Sequence, residues 1–298
     1  MKKLTILIPS YNHKKYIGEL FECIESLPIE LFDVLIIDDC SNDGSDKIIE
    51  SYATSKSNVS CILKEQNKGL INSIKVGISH IRTEYFFLIA SDDLFSPEAI
   101  AEALQYMIEK PEISFCIFGG YNFSEDGSIR EIYGERHKRF FSLSPANIYK
   151  KMFYNHPAPI LLQSSIFKTE LFHKNPSIVD PNLKFDDYQI FIKLFRLVAE
   201  NNVGFGFNNG LKIVKYRHHE NNTYKDYKKM FSMFEEVYDT CAPTNAIACR
   251  SKAMCWYLYF SRSVVTLNIS FIFFFLKNYR FSYLKYFHIF LRDRFFNQ

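Results

Sequence analysis

Short apolar runs alternate with helical stripes over the first hundred residues, and two of the runs end in paired acids. The runs Leu4–Ile8, Val34–Ile37, Val59–Leu63 and Tyr85–Ala90 are too short for helices and rich in β-branched or aromatic residues. After the first come Tyr16, Ile17, Leu20, Phe21, Ile24 and Leu27, three and four apart. Ile48, Ile49 and Tyr52 follow the second run, and Leu70, Ile71, Ile74, Ile78 and Ile81 follow the third. Continuous apolar runs of this length, each leading into a helical period, predict parallel strands buried on both faces. Ser96-Pro97-Glu98 opens a fourth helix, with an N-cap and Pro at the first helical position. Four βα units predict an α/β fold with a doubly wound, mainly parallel sheet flanked by helices.

The pattern loosens after about residue 112. A strand is expected at Ile113–Phe118, then a Pro-rich loop, His156-Pro157-Ala158-Pro159, and a helix opened by Asp186-Asp187. Asn209-Gly210 between Val203–Phe207 and Leu211–Tyr216 predicts a β-hairpin. From Tyr227 onward the pattern is helical, giving expected divisions of 1–110, 111–225 and 226–298.

Asp38-Asp39 and Asp92-Asp93 each end an apolar run. Parallel sheets place their ligand crevice at the carboxyl ends of the strands. Both pairs are therefore expected at one cleft, where a cation or ligand donors must offset their repulsion. That chemistry suits a metal-assisted nucleotide site. The alternative is that each pair only caps the helix that follows.

With 298 residues, 47% hydrophobic and 23% charged, the chain has room for a full α/β domain and an appendage. A net charge of +3 gives no case for nucleic acid. Its distribution is uneven: residues 262–298 hold six bases against the single acid Asp293, leaving the remainder slightly acidic. The seven cysteines are odd in number, scattered and never spaced Cys-x-x-Cys, which favours a reduced cytoplasmic setting. The apolar stretch after Met1-Lys2-Lys3 stops at Pro9, short of a signal-peptide core, and reads as the first strand.

Four segments, in order, resemble inverting glycosyltransferases of family 2. These are Pro9-Ser10-Tyr11-Asn12; Asp38-Asp39-Cys40-Ser41-Asn42-Asp43-Gly44-Ser45; Asn67-Lys68-Gly69 with Gly77-Ile78; and Ala90-Ser91-Asp92-Asp93. The resemblance implies a GT-A fold whose 1–110 half binds the nucleotide sugar, whose 111–225 half faces the acceptor, and which carries a helical, aromatic, basic C-terminal extension. It further implies a donor site of Pro9, Ser10, Tyr11, Asp39, Asn67, Asp92 and Arg217. Tyr11 would stack on the base, and Asp39 would accept the N3–H of uracil. Asp92, Asp93 and His219 would hold Mn²⁺ or Mg²⁺. The family pattern has an acid at position 90, where this chain has Ala90. Asp186-Asp187 resembles the family's acidic helix start and implies Asp187 as general base. Tyr216-Arg217-His218-His219 resembles its Tyr-Arg-x-His segment, whose final Asn would be Asn222.

The implied reaction moves a hexose from a UDP-sugar to a glycan acceptor, lipid-linked in the O-antigen, capsule or related polysaccharide pathways. Competing readings are a sugar nucleotidyltransferase, a receiver-like or nucleotide-binding module ending near residue 120, and a non-catalytic relative motivated by Ala90. The residues Val264–Leu276 would make a helix of about 20 Å, too short for a hydrocarbon core of about 30 Å. Bases alternating with Phe and Tyr there suit either helices packed on the catalytic body or an interfacial surface on the inner leaflet of a membrane. The expected localisation is cytoplasmic, with peripheral attachment through this tail.

Overall fold

The computed structural model of the chain describes residues 2–124, 126–201, 203–220 and 223–295. The N-terminal elements follow the apolar runs: β1 (Leu4–Ser10), α1 (Ile17–Glu25), β2 (Phe32–Asp38), α2 (Ser45–Ser55), β3 (Val59–Leu63), α3 (Leu70–His80) and β4 (Tyr85–Leu88). Strands β1 to β4 pair in parallel in the order β3-β2-β1-β4. Every residue of β1 is buried, because neighbours flank it on both edges and helices cover both faces. The helix α3 lies close against β1: a Cβ on Gly77 would stand 2.2 Å from Leu7 Cδ1. The register places Ser10 opposite Asp38 and Leu7 opposite Leu88, so the loops leaving β1, β2 and β4 emerge at one edge.

Next come β5 (Leu94–Phe95) and α4 (Pro97–Glu109), whose N-cap Ser96 Oγ accepts from Ala99 N at 3.3 Å as expected. Then follow β6 (Ile113–Ser124), β7 (Ile129–Glu131), α5 (Glu135–Phe141), α6 (Pro145–Met152), β8 (Ser165–Lys168), α7 (Thr169–Lys174), α8 (Asp186–Asn201) and β9 (Gly204–His218). They extend the sheet as β4-β8-β6-β9-β5, with β7 also on β6. Here the pairings are antiparallel except β6 with β9.

The hairpin expected at Asn209-Gly210 does not form. Residues 204–218 make one strand that runs parallel to β6, and the register jumps from Phe118↔Asn208 to Gly119↔Lys212. Asn209-Gly210 is therefore a bulge rather than a reversal. It exists because Gly119 has no side chain: a Cβ there would meet the Asn209 carbonyl oxygen at 2.6 Å. A turn signal local to β9 is overridden by what its partner strand allows.

The C-terminal region comprises α9 (Tyr227–Cys241), α10 (Asn245–Val265), α11 (Ile269–Lys277) and α12 (Phe287–Phe295). Helix α9 packs on α8, with Phe234 edge-on to Phe185 and Tyr188 at 4.9 Å between ring centroids in both pairs. Trp256 anchors the rest, stacked on Phe260 and donating from Nε1 to the Phe275 carbonyl at 2.9 Å. The region is thus part of the folded body. It nevertheless leaves Val265, Leu267, Ile269, Phe273, Phe281 and Leu284 exposed, Phe281 at 90%. No helix among the described residues is long and apolar enough to cross a membrane. The seven cysteines are unpaired thiols.

Candidate active site

A cleft of about 1000 Å³ opens at the edge where β1, β2 and β4 end. The loops after β1 and β2 form one brace beside it. Asn12 Oδ1 accepts from Asn42 N, and Ser41 Oγ from Asn12 N, both at 2.9 Å. Asn12 and Cys40 take left-handed backbone conformations, φ 55° and 63°, that this brace must stabilise. The first acid pair divides its work. Asp38 turns into its own loop and accepts from Ser41 Oγ at 2.6 Å and Ser41 N at 2.8 Å. Asp39 lines the cleft, held by an ion pair with Lys64 and by the amides of Lys68 at 3.0 Å and Gly69 at 2.6 Å. Three donors leave one of the roughly four lone-pair sites of that carboxylate open.

Pro9, Ser10, Tyr11, Asp39, Asn67 and Asp92, grouped together from the sequence, all line the cleft. Tyr11 is 41% exposed at the rim, so it is not a core aromatic. Asn67 Oδ1 accepts from Gly69 N at 3.0 Å and shapes the turn into α3. Ser10 is buried, and its hydroxyl has no hydrogen-bond partner among the described residues.

Asp92 and Asp93 line the cleft beside the loop that follows β1. Asp92 Oδ2 accepts from His219 Nε2 at 3.0 Å and lies 3.7 Å from His13 Nε2. Asp93 is buried; its Oδ1 accepts from Arg217 N at 2.7 Å, and its Oδ2 has no partner among the described residues. Burial pushes the Asp93 carboxyl well above the usual carboxylate range, and the charge of Asp92 pushes it further. A divalent cation shared with a diphosphate needs only one or two protein carboxylates. The open oxygen of Asp93 beside Asp92 fits that demand. No set of three His, Cys, Asp or Glu side chains among the described residues forms a metal cage. The expected trio of Asp92, Asp93 and His219 is therefore not preformed; His219 Nε2 instead faces Asp92 Oδ2 in a hydrogen bond.

Arg217 is placed differently from the expectation. It does not line the cleft. Its Nε donates to the Asp92 carbonyl at 2.7 Å, and its terminal nitrogen donates to Glu19 Oε2 at 2.9 Å, with Tyr16 and Phe123 against the guanidinium plane. A buried guanidinium so engaged clamps β9 and α1 to the loop after β4. It is not positioned to neutralise phosphate. Asn222 lies outside the described residues.

Asp186 and Asp187 begin α8 and line the same cleft. Asp187 Oδ1 accepts from Leu162 N at 2.7 Å. Enclosure by protein pushes the Asp187 carboxyl well above the usual range, and the charge of Asp186 adds to the effect. Raising the pKa makes the ionised form a stronger base. Tyr216, also in the cleft wall, is pushed up by burial and then by Asp93, Asp187, Asp92 and Asp186, so one phenol feels all four carboxylates.

The residues given no site role from sequence are His13, Tyr16 and Tyr216. His13 lines the cleft and contacts Ser91 Oγ at 2.7 Å; its position just past a strand's carboxyl end was the available signal. Tyr16 stacks on His219 at 5.5 Å between centroids, a contact between residues far apart in the chain. The histidine of the Pro-rich loop, His156, lines the cleft and stacks on Tyr188.

An open α/β sheet with acidic loops at the carboxyl ends of its strands is the frame of GT-A glycosyltransferases. The profile of the family "Glycosyl transferase family 2" matches residues 5–171, and the chain belongs to that family. It is similar to glycosyltransferase GlyG of Streptococcus pneumoniae, 27% identical over 127 residues that cover 42% of each chain. It is also similar to poly(ribitol-phosphate) beta-N-acetylglucosaminyltransferase TarS of Staphylococcus aureus, 30% identical over 112 residues, 37% of this chain and 19% of that protein. The match thus spans less than half the length of each of these relatives. The crystal structure of TarS residues 1–349 with UDP-GlcNAc superposes with a TM-score of 0.61 at 20% identity, covering 90% of this chain and 76% of that one. A mannosyltransferase of Pyrobaculum calidifontis, in complex with GDP-Man and Mn²⁺, gives 0.57 at 12% identity, covering 99% and 88%. At such identities the likeness shows the fold. Family membership displaces the nucleotidyltransferase and receiver-like readings.

The clamp has a direct test. Glu19 lies outside the cleft, so Glu19→Ala should lower unfolding stability by about 1–2 kcal/mol while leaving UDP affinity near wild type. Arg217→Ala should cost more stability. Equal denaturation midpoints with a weakened UDP interaction would instead place Arg217 on the phosphates.

Proposed function

We propose that the chain transfers a hexose from a UDP-sugar to a glycan acceptor, with inversion at the anomeric carbon, in the synthesis of a bacterial surface polysaccharide. The observation that carries this reading is the meeting of Asp92-Asp93 and Asp186-Asp187 in one cleft beside Tyr11 and Asp39. The names of the relatives support it, since TarS is an N-acetylglucosaminyltransferase crystallised with UDP-GlcNAc.

In this reading Tyr11 stacks on the uracil, and the remaining lone pair of Asp39 accepts the N3–H. Pro9, Ser10 and Asn67 shape the nucleoside wall. Asp92 and Asp93 would hold Mn²⁺ or Mg²⁺, which supplies charge neutralisation on the departing diphosphate. Asp187 removes the acceptor hydroxyl's proton as that oxygen attacks the anomeric carbon from the face opposite the diphosphate. The bond to the diphosphate oxygen breaks, and UDP leaves with the electron pair. His219 orients Asp92 through its hydrogen bond. The acceptor is lipid-linked, and the exposed apolar side chains of α11 and the turn after it rest on an inner-leaflet membrane surface beside Lys277 and Lys285. Arg280 is paired with Glu235 and contributes less.

Mass-spectrometric screening of donor hydrolysis against UDP-Glc, UDP-Gal, UDP-GlcNAc, UDP-GalNAc and GDP-Man tests the donor; hydrolysis of GDP-Man alone would sink the uracil assignment. Asp187→Asn should keep UDP affinity and lose turnover by about 10²–10⁴. Because the Asp187 carboxyl is raised and acts only when ionised, wild-type turnover should fall as pH drops through that raised pKa, at a higher pH than an exposed aspartate would give. A pH profile flat through this range would remove Asp187 from the role.

Asp92→Ala should weaken UDP binding in the presence of Mn²⁺ by about tenfold or more. Unchanged calorimetric binding, with or without the ion, would separate Asp92 from any metal. For the tail, the full chain should co-sediment with anionic vesicles at low salt and be released at high salt, since each base near such a surface is worth about 1 kcal/mol. No sedimentation at low salt would leave the tail as packed structure only.

A further inference from the structure

A second cavity of about 770 Å³ adjoins the acceptor side of the cleft, and His156, Ala158, Phe234, Tyr259 and Arg262 line both. Four cations reach it, namely Arg136, Arg139, Lys151 and Arg262, and no Asp or Glu lines it. Among the described residues none of the four is in an ion pair; the nearby acid Glu135 is taken by Lys138 and Asp239 by Lys252. Arg136 is steadied by Asn155 Oδ1 at 3.2 Å, which leaves its charge uncompensated. The shared wall adds no counter-charge: burial, with the charge of Arg136, pushes the His156 imidazole down to about 4, so it stands neutral.

Much of the rest of the lining is apolar or aromatic. Phe140, Leu143, Met254, Leu258 and Phe290 face the same space, and Phe290 sits on α12 between the exposed Phe287 and Leu291. Four unneutralised cations gathered in a concave site raise the local concentration of anions. Guanidinium groups match phosphate oxygens in a fork that a lone ammonium does not provide. A soluble phosphate polymer would use the cations and waste the aromatic wall. An alkyl phosphate uses both.

We propose that this cavity holds the diphosphate and first carbons of an amphiphilic acceptor, an alkyl-diphosphate-linked sugar whose free hydroxyl reaches the adjoining cleft. The inference rests on the transferase reading of that cleft. Arg262, which lines both spaces, stands at the passage between the carrier and the reacting sugar. The apolar chain leaves along α12, towards the exposed face of the tail.

Calorimetry on the full chain tests this with dodecyl diphosphate below its micelle concentration, inorganic pyrophosphate, dodecyl maltoside, and UDP with Mn²⁺. Wild type should bind dodecyl diphosphate at least tenfold more tightly than pyrophosphate or the maltoside, and UDP should not displace it. Arg139→Gln combined with Lys151→Gln, both away from the donor cleft, should weaken dodecyl diphosphate at least tenfold and leave UDP within twofold. Intact UDP binding also reports that the variant is folded. Displacement by UDP, an unaffected double variant, or equal binding of pyrophosphate or the maltoside would each overturn the proposal. If wild type binds dodecyl diphosphate but neither UDP nor any other nucleotide sugar, the transferase reading falls and the acceptor role with it, while the anion cavity remains.

Discussion

The carboxylate of Asp93 is the point on which the cleft is assembled. One of its oxygens accepts the backbone amide of Arg217, and the Arg217 side chain reaches on to the Asp92 carbonyl and to Glu19. Three elements distant in sequence, α1, the loop after β4 and the end of β9, are joined through this one buried group. Removing water from a carboxylate is costly unless donors replace it. The register in which β9 supplies that donor also sets Tyr216 in the cleft wall and His219 against Asp92. A buried carboxyl with one oxygen bonded to β9 thereby ties the positions of its neighbours together.

The acids around the cleft are held in two contrasting ways. Asp39 is surrounded by Lys64 and two amides, which supply donors to most of its carboxylate. Asp93, Asp186 and Asp187 are enclosed with few donors, so their carboxyls are raised, and neighbouring carboxylates add to this for Asp93 and Asp187. A carboxylate with full hydrogen bonding recognises; one short of donors is disposed to take up a proton or a cation. The same cleft holds both kinds. This division matches a reaction in which one partner is recognised and the other is deprotonated.

The C-terminal helices complete the wall of the cleft rather than forming a detached appendage. Phe234 on α9 and Tyr259 on α10 line the cleft directly, and Phe290 on α12 lines the adjoining basic cavity. The aromatic packing about Trp256 keeps these walls in place while leaving a separate apolar surface uncovered. Packing and exposure thus coexist in the same stretch, which is why its composition alone fits both a packed helix pair and an interfacial surface.

The local sequence determined the parallel half of the sheet and the acids at its edge. Strands buried on both faces must be apolar throughout, so β1, β2 and β4 stand out, and their carboxyl ends fall where Ser10, Asp39 and Asp92 do; β3, at the sheet edge, is only partly buried. The acidic start of α8 was legible for the same reason, as a break in an apolar period. Tertiary structure decided the rest. Asn209-Gly210 carries a turn signal, but Gly119 on the partner strand lets the chain bulge and continue. Arg217 sits in a motif that suggests phosphate, yet Glu19 and the Asp92 carbonyl capture it. The cations of the second cavity come from α5, α6 and α10, segments with no shared local pattern. Periodicity reports which face of an element is buried; which distant groups meet there depends on register and packing, and those are properties of the whole chain.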